Sequence, residues 1–138
     1  MKVLDSITAT NIGGRDGKGH TSDGKLDIKF SLAKALGGKG EGATPEHLFG
    51  LGYSACFASA MQYVAGQKKI HLPPDFSITA KVDLTQTDEG NFQLQVELTA
   101  KAPGIEKAQL EELVKIAHTV CPYSRAIKGN VDVKLSVA

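Results

Sequence analysis

Phe76-Ser77-Ile78-Thr79-Ala80-Lys81-Val82-Asp83-Leu84 and Phe92-Gln93-Leu94-Gln95-Val96-Glu97-Leu98-Thr99-Ala100 carry apolar side chains at every second position. A period of two puts one face of each stretch on a dry side and the other in water, the pattern of half-buried β-strands. Asp88-Glu89-Gly90-Asn91 lies between them and reads as the turn of an antiparallel hairpin. A sheet with one dry face needs something apolar laid against it, so the flanking sequence must supply helices.

It does so on both sides. Upstream, Thr44 is a good helix N-cap and Pro45 suits a first helical position that needs no N–H partner. Glu46 places negative charge on the helix's positive end. The helix is predicted to run to Ala65 and end at Gly66, with Gly50 and Gly52 as points where it can kink, and His71-Leu72-Pro73-Pro74 breaks the chain before the hairpin. Downstream, Pro103-Gly104 ends the hairpin. Leu110, Leu113, Val114, Ala117 and Cys121 then recur at helical spacing, and Val131, Val133, Leu135 and Val137 alternate as a last strand. Before the first helix, Leu4 to Asn11 and Leu26 to Ser31 read as short strands separated by Gly- and Asp-rich turns, and Gly37 to Gly42 reads as a mobile loop. The order strands, helix, hairpin, helix, strand predicts an α+β fold with mainly antiparallel sheet, in one domain over 1–138.

Composition narrows the function. Sixteen basic against 15 acidic residues leave a net charge of +1, so the basic footprint of a nucleic-acid binder is missing, and 41% apolar with 22% charged residues is inconsistent with general disorder. No secretory leader, lipid anchor or membrane span is legible, which predicts a cytoplasmic protein. In that compartment Cys56 and Cys121 are not expected to form a permanent staple. Neither belongs to a Cys-x-x-Cys pair, and His20, His47, His71 and His118 show no zinc-like spacing with them, so no metal site is expected. Taken singly, Cys56 and Cys121 read as small buried hydrophobes, Arg15 as a solvated charge, Glu46 as a helix-end acid and His47 as a surface side chain.

Together the residues say more. Tyr53-Ser54-Ala55-Cys56-Phe57, preceded by Thr44-Pro45-Glu46 and followed far downstream by Val120-Cys121-Pro122-Tyr123-Ser124, resembles the organic hydroperoxide resistance (Ohr) branch of the Ohr/OsmC family. The Gly13-Gly14-Arg15-Asp16-Gly17 turn and Ser22-Asp23-Gly24-Lys25-Leu26 resemble that branch too, so the similarity spans nearly the whole chain in order. The resemblance implies an OsmC-like fold, antiparallel sheets wrapped around central helices in an intertwined homodimer. It also implies a thiol peroxidase that reduces alkyl and fatty-acid hydroperoxides to alcohols. Cys56 would be the peroxidatic residue, Cys121 the resolving one, and Arg15 and Glu46 their charged partners. No cofactor is bound in such proteins. They are recycled by dihydrolipoyl groups on lipoylated proteins, with no nucleic acid or membrane as partner.

Those assignments make physical sense. A thiol of ordinary pKa is only about 3% thiolate at pH 7, and the thiolate is the attacking species. Lowering the pKa to about 6 takes about 3.4 kcal/mol of preferential thiolate stabilisation, within reach of one close guanidinium. Arg15 can supply that charge and donate to the peroxide oxygen, while Glu46 holds the planar fork in direction. Attack leaves a sulfenic acid on Cys56, and Cys121 must come close to condense with it. Phe49, Phe57 and Tyr123, with Leu48, are candidates for an apolar substrate approach. The chain departs from the family pattern at His47, where an amide such as Gln is expected, and at Arg125, where Asn is common. Rival readings are an OsmC-branch peroxidase with a broader peroxide range, a redox-sensing or ligand-binding module in which Cys56 merely packs, and a metal site of Cys56, Cys121 and His118.

Overall fold

The computed structural model describes the whole chain, residues 1–138. Backbone packing divides it into two compact units, Met1–Leu48 and Phe49–Ala138.

In the first unit, β1 (Ala9–Ile12), β2 (Lys18–Thr21) and β3 (Asp27–Lys29) form an antiparallel three-stranded sheet in the order β1-β2-β3. The first strand is shorter than its apolar pattern suggests. Residues 1–8 form no strand and are exposed, the Thr8 carbonyl accepting from the Ser22 N–H where the paired segment begins. A one-turn 3-10 helix, Gly14–Asp16, sits in the β1–β2 connection. The expected glycine loop is tied down: the Gly38 N–H donates to the Ala33 carbonyl, Gly40 N–H to Leu32, and Ala43 N–H to Lys29. Phe30 is its principal buried apolar side chain.

Helix α1 (Pro45–Gln67) begins where Thr44 and Pro45 predict, and it runs through Gly50, Gly52 and Gly66 without interruption. In the second unit it buries Tyr53, Phe57, Ala60, Met61 and Val64, one stripe at helical spacing. The predicted hairpin is β4 (Ser77–Gln86) with β5 (Phe92–Lys101), paired antiparallel from Ser77 opposite Lys101 to Gln86 opposite Phe92. Val96, Leu98 and Ala100, alternate residues of β5, are buried, while Phe92 at the turn end stays exposed. Helix α2 (Lys107–Val120) lays Leu110, Leu113, Val114 and Ala117 into the same core. A short helix, α3 (Pro122–Ile127), follows after Cys121. The last strand, β6 (Val133–Val137), pairs with β5 in parallel, in the order β4-β5-β6. It is the one parallel strand pair, the other three being antiparallel, so the sheet is mainly antiparallel as expected. The α2–α3 segment is a crossover that returns the chain to the end where β5 began, the connection that parallel strands need.

Candidate active site

Cys56 stands on the fourth turn of α1, one turn after Tyr53 and one residue before Phe57, both fully buried. It is therefore at the edge of the core stripe, partly exposed. Cys121 ends α2 and begins α3, and its side chain is fully buried. Pro122 at the first position of α3 forces this change of direction, since proline can start a helix but cannot continue one. The corner aims Cys121 at α1: its thiol donates to Cys56 Sγ at 3.4 Å, both cysteines being reduced. Disulfide sulfurs are about 2.05 Å apart, so closure needs a shift of little more than an ångström. The sequence expectation that two distant sulfurs become neighbours is met in the geometry.

Aromatic rings surround the pair. Phe49, Tyr53 and Phe57 share a face of α1 at four-residue intervals, with Phe49–Tyr53 and Tyr53–Phe57 centroids 5.8 and 6.3 Å apart and edge-on. The Tyr123 ring stacks on Tyr53 at 5.8 Å and lies 6.1 Å from Phe49. Gly52 makes room for it, since a Cβ there would lie 2.8 Å from the Tyr123 hydroxyl and 3.1 Å from its ring. Of the predicted apolar approach, Phe49 and Tyr123 retain surface. Phe57 does not: it is 0% exposed and serves the core, packed against Tyr53 and 6.5 Å from the His118 ring.

Burial pushes the Cys56 thiol up; the Tyr123 backbone N–H, at the start of α3, pulls the other way, and the neighbouring Cys121 adds to the rise. Burial likewise raises the Tyr53 phenol and lowers the His118 imidazole. No cation of Phe49–Ala138 acts on Cys56. The metal alternative finds no support in the arrangement: no group of three His, Cys, Asp or Glu side chains gathers, and His118 Nδ1 lies 2.8 Å from Ser124 Oγ.

The charged pair lies in Met1–Leu48. Arg15 Nη1 and Nη2 donate to Glu46 Oε2 and Oε1 at 2.9 and 2.7 Å, a bidentate pair whose side chains are 35% and 16% exposed. The contact raises the guanidinium pKa further and holds the Glu46 carboxyl below the usual carboxylate range. Two braces not read from the sequence fix the Arg15 turn. Asn11 Oδ1 accepts from the Gly14 N–H at 2.8 Å, and Asp16 Oδ1 accepts from the Leu32 N–H at 2.8 Å. Gly17 closes the turn where any side chain would collide with the Ile12 carbonyl. His47 is exposed, as expected of a surface side chain, and it also caps α1. Its Nδ1 accepts from the Thr44 N–H at 3.0 Å and lies 2.8 Å from Thr44 Oγ1, while the His47 N–H points at Thr44 Oγ1 at 3.4 Å, a reciprocal cap on α1 with imidazole in the place usually held by Glu or Gln.

A dithiol on a helix corner beside stacked aromatics, and a two-pronged arginine–carboxylate pair, are the features by which relatives can be compared. Residues 38–136 match the family model described as OsmC-like protein. An organic hydroperoxide resistance protein of Xanthomonas axonopodis pv. citri is 49% identical over 138 residues, covering 99% of this chain and 96% of the relative. The crystal structure of an organic hydroperoxide resistance protein from Legionella pneumophila superposes with a TM-score of 0.94 at 47% identity, covering 99% of both chains. One from Elizabethkingia anophelis gives 0.92 at 44% identity, over 100% of this chain and 99% of that one. The fold is therefore the α+β OsmC-like fold, and the chain belongs to the Ohr/OsmC family.

Proposed function

We propose that this chain defends against peroxides as a thiol-dependent organic hydroperoxide peroxidase. The observation that carries the reading is the 3.4 Å approach of two free thiols, one partly exposed and one buried. The names of the relatives support the substrate class. Cys56, the reachable sulfur, attacks the distal peroxide oxygen; the O–O bond breaks, the alcohol leaves, and Cys56 becomes a sulfenic acid. The Cys121 sulfur then displaces hydroxide and forms the disulfide. A partly exposed sulfur with a buried partner suits this division of labour, since only the first must meet substrate.

Burial raises the Cys56 thiol pKa, so a positive charge close to the sulfur is needed to favour the attacking thiolate. Arg15, aimed by Glu46, is the group we assign to that task, and its donors also suit the oxygen that gains charge as the O–O bond breaks. Phe49 and Tyr123 offer an apolar approach for alkyl peroxides. Recycling is assigned to dihydrolipoyl groups of a lipoylated protein, whose two thiols convert the disulfide back without a bound cofactor. The working unit is assigned as a homodimer: Ile7, Ile12, Leu26 and Leu36 of Met1–Leu48 are 63, 64, 52 and 49% exposed, apolar surface that a second copy would cover. No helix is long and apolar enough to cross a membrane, and a cytoplasmic location is assigned because a reducing compartment suits a dithiol that must be returned to its free form.

Free-thiol titration before and after one equivalent of cumene hydroperoxide tests the reading; both thiols disappear if it is right and neither does if Cys56 merely packs. Steady-state peroxide consumption with dihydrolipoamide, thioredoxin or glutathione then tests the reductant. Faster turnover with either of the latter two overturns the lipoyl assignment.

A further inference from the structure

Three polar side chains beside the sulfurs have no part in that reaction. Tyr53 Oη lies 2.6 Å from Ser124 Oγ, which lies 2.8 Å from His118 Nδ1. Each is one helical turn from a cysteine: Tyr53 before Cys56 on α1, His118 before Cys121 on α2, Ser124 after Cys121 on α3. The chain of hydroxyls and imidazole therefore ties all three helices together around the dithiol. Its inner members are sealed from water, Tyr53 at 0% and Ser124 at 2% exposure. Its outer end is not: His118 and Ser124 line a cavity of about 280 Å³ with Thr119, Arg125 and Lys128.

A serine hydroxyl carries one proton, so Ser124 donates to only one neighbour at a time and the chain has two senses. With Nδ1 bare, it runs from Tyr53 through Ser124 to His118. With a proton on Nδ1 it runs the other way, and the Tyr53 O–H is released toward the sulfur side. Burial favours the uncharged imidazole. Tyr53 stands one turn before Cys56 on α1 and packs in the same core cluster as Cys121, which puts its end of the chain on the sulfur side. The groups facing His118 are the Phe57 ring and Tyr53 from α1, Ser124 and Arg125 from α3, Lys128 beyond it, and Thr119 and Cys121 on its own strand of chain. Arg125 and Lys128 form no ion pair, and no carboxylate lines the cavity.

We infer that Tyr53, Ser124 and His118 form a proton-holding chain for the resolving step, with His118 a positioning residue that acts on the sulfurs through the other two. The inference rests on the dithiol-peroxidase reading. When Cys121 condenses with the Cys56 sulfenic acid, the Cys121 S–H and Cys56 S–O bonds break and the S–S bond forms. The S–O electron pair leaves with hydroxide, which takes up one proton as water. No oxidant beyond the peroxide is needed. The attacking sulfur must first lose its proton, and Cys121 is 0% exposed, so water does not take it directly. A proton accepted on the Tyr53 side reverses the chain and comes to rest on Nδ1. The two cations around the cavity favour its return, to the departing hydroxide or to solvent.

The test is the pH profile of disulfide formation after one equivalent of cumene hydroperoxide, read by stopped flow, with sulfenic acid trapped by dimedone. His118→Asn keeps an amide near the position of Nδ1 but cannot hold a proton. It should slow disulfide formation at least about tenfold and erase the inflection expected of the wild type, which burial of the imidazole moves to the acid side of the ordinary histidine value. Tyr53→Phe, which keeps His118, should erase the same inflection. Thermal unfolding of each variant reads the bracing role separately, and Ser124→Ala takes the place of any variant that does not fold. Variants that lose two thiols with the wild-type rate and pH profile overturn this inference alone. A wild type that loses no thiols overturns the peroxidase reading beneath it.

Discussion

Met1–Leu48 and Phe49–Ala138 solve the same folding problem to different degrees. The second pairs two ten-residue strands along their whole length and packs two apolar helix stripes into a core where Tyr53, Phe57, Met61, Leu98 and Leu113 are at most 1% exposed. The first has strands of three or four residues, one substantial buried apolar side chain in Phe30, and Val3, Leu4, Ile7, Ile12, Leu26 and Leu36 left in water. Their functional groups differ in the same sense. Two sulfurs that must form a covalent bond tolerate little misplacement, and they stand in the well-packed region. The Arg15–Glu46 pair acts by charge and direction, and it sits on a braced surface turn.

The largest effects should break the packed region. Cys56→Ser is expected to abolish peroxide consumption, whereas Cys121→Ser should leave one rapid turnover that stalls as a sulfenic acid, seen by mass spectrometry after dimedone trapping. Leu98→Ala should cost about 2–5 kcal/mol in denaturant unfolding, while Ile12→Ala, 64% exposed, should change the stability of one chain by no more than about 0.5 kcal/mol. Ile12→Glu sharpens the contrast: if that face is covered by a second copy, sedimentation will show dissociation with little change in the helix content of the chain.

The charged turn should give the next largest loss. Arg15→Ala is expected to lower the peroxide rate constant by about two decades or more, and Arg15→Lys should recover little of it, because an ammonium cannot make the two-pronged contact. An unchanged rate in Arg15→Ala would remove the guanidinium from the mechanism. The pair also has a pH signature. The Arg15 contact lowers the Glu46 pKa from its ordinary 4.5, so the stability it contributes is fully present above that value and is lost as pH falls through the lower folded one. The stability difference between wild type and Glu46→Gln should therefore shrink only below about pH 4.5 and vanish in stronger acid.

What the sequence made legible follows from where each signal comes from. Period-two and helical spacing are local, so β4, β5, α1 and α2 could be read directly, down to Thr44 and Pro45 at the start of α1. The parallel pairing of β6 with β5 is a matter of which end the crossover reaches, and the spacing of Val131 to Val137 is the same for either direction. Cys121 continues the stripe of α2, so its burial was legible; that Pro122 turns it onto Cys56 was not, since the corner depends on α3 beyond it. Tyr53, Ser124 and His118 each lie one turn from a cysteine, a spacing visible in advance, but nothing in it shows that three helices bring the side chains together. Phe57 was read as pocket wall because an aromatic beside a reactive cysteine fits either role, and only the neighbouring helices decide it.

The smallest expected effect lies at the join of the charged turn and the long helix, where His47 stands in place of the amide. The first turn of a helix leaves backbone donors unpaired, and here the imidazole accepts the Thr44 N–H while Thr44 Oγ1 faces the His47 N–H. Both Gln and an unprotonated imidazole offer one acceptor at that reach, so His47→Gln should change stability by a few tenths of a kcal/mol at most, while His47→Ala should cost about 0.5–2 kcal/mol. The two variants separate the acceptor from the ring that carries it, read by denaturant unfolding. If His47→Gln loses as much stability as His47→Ala, the imidazole contributes packing alone.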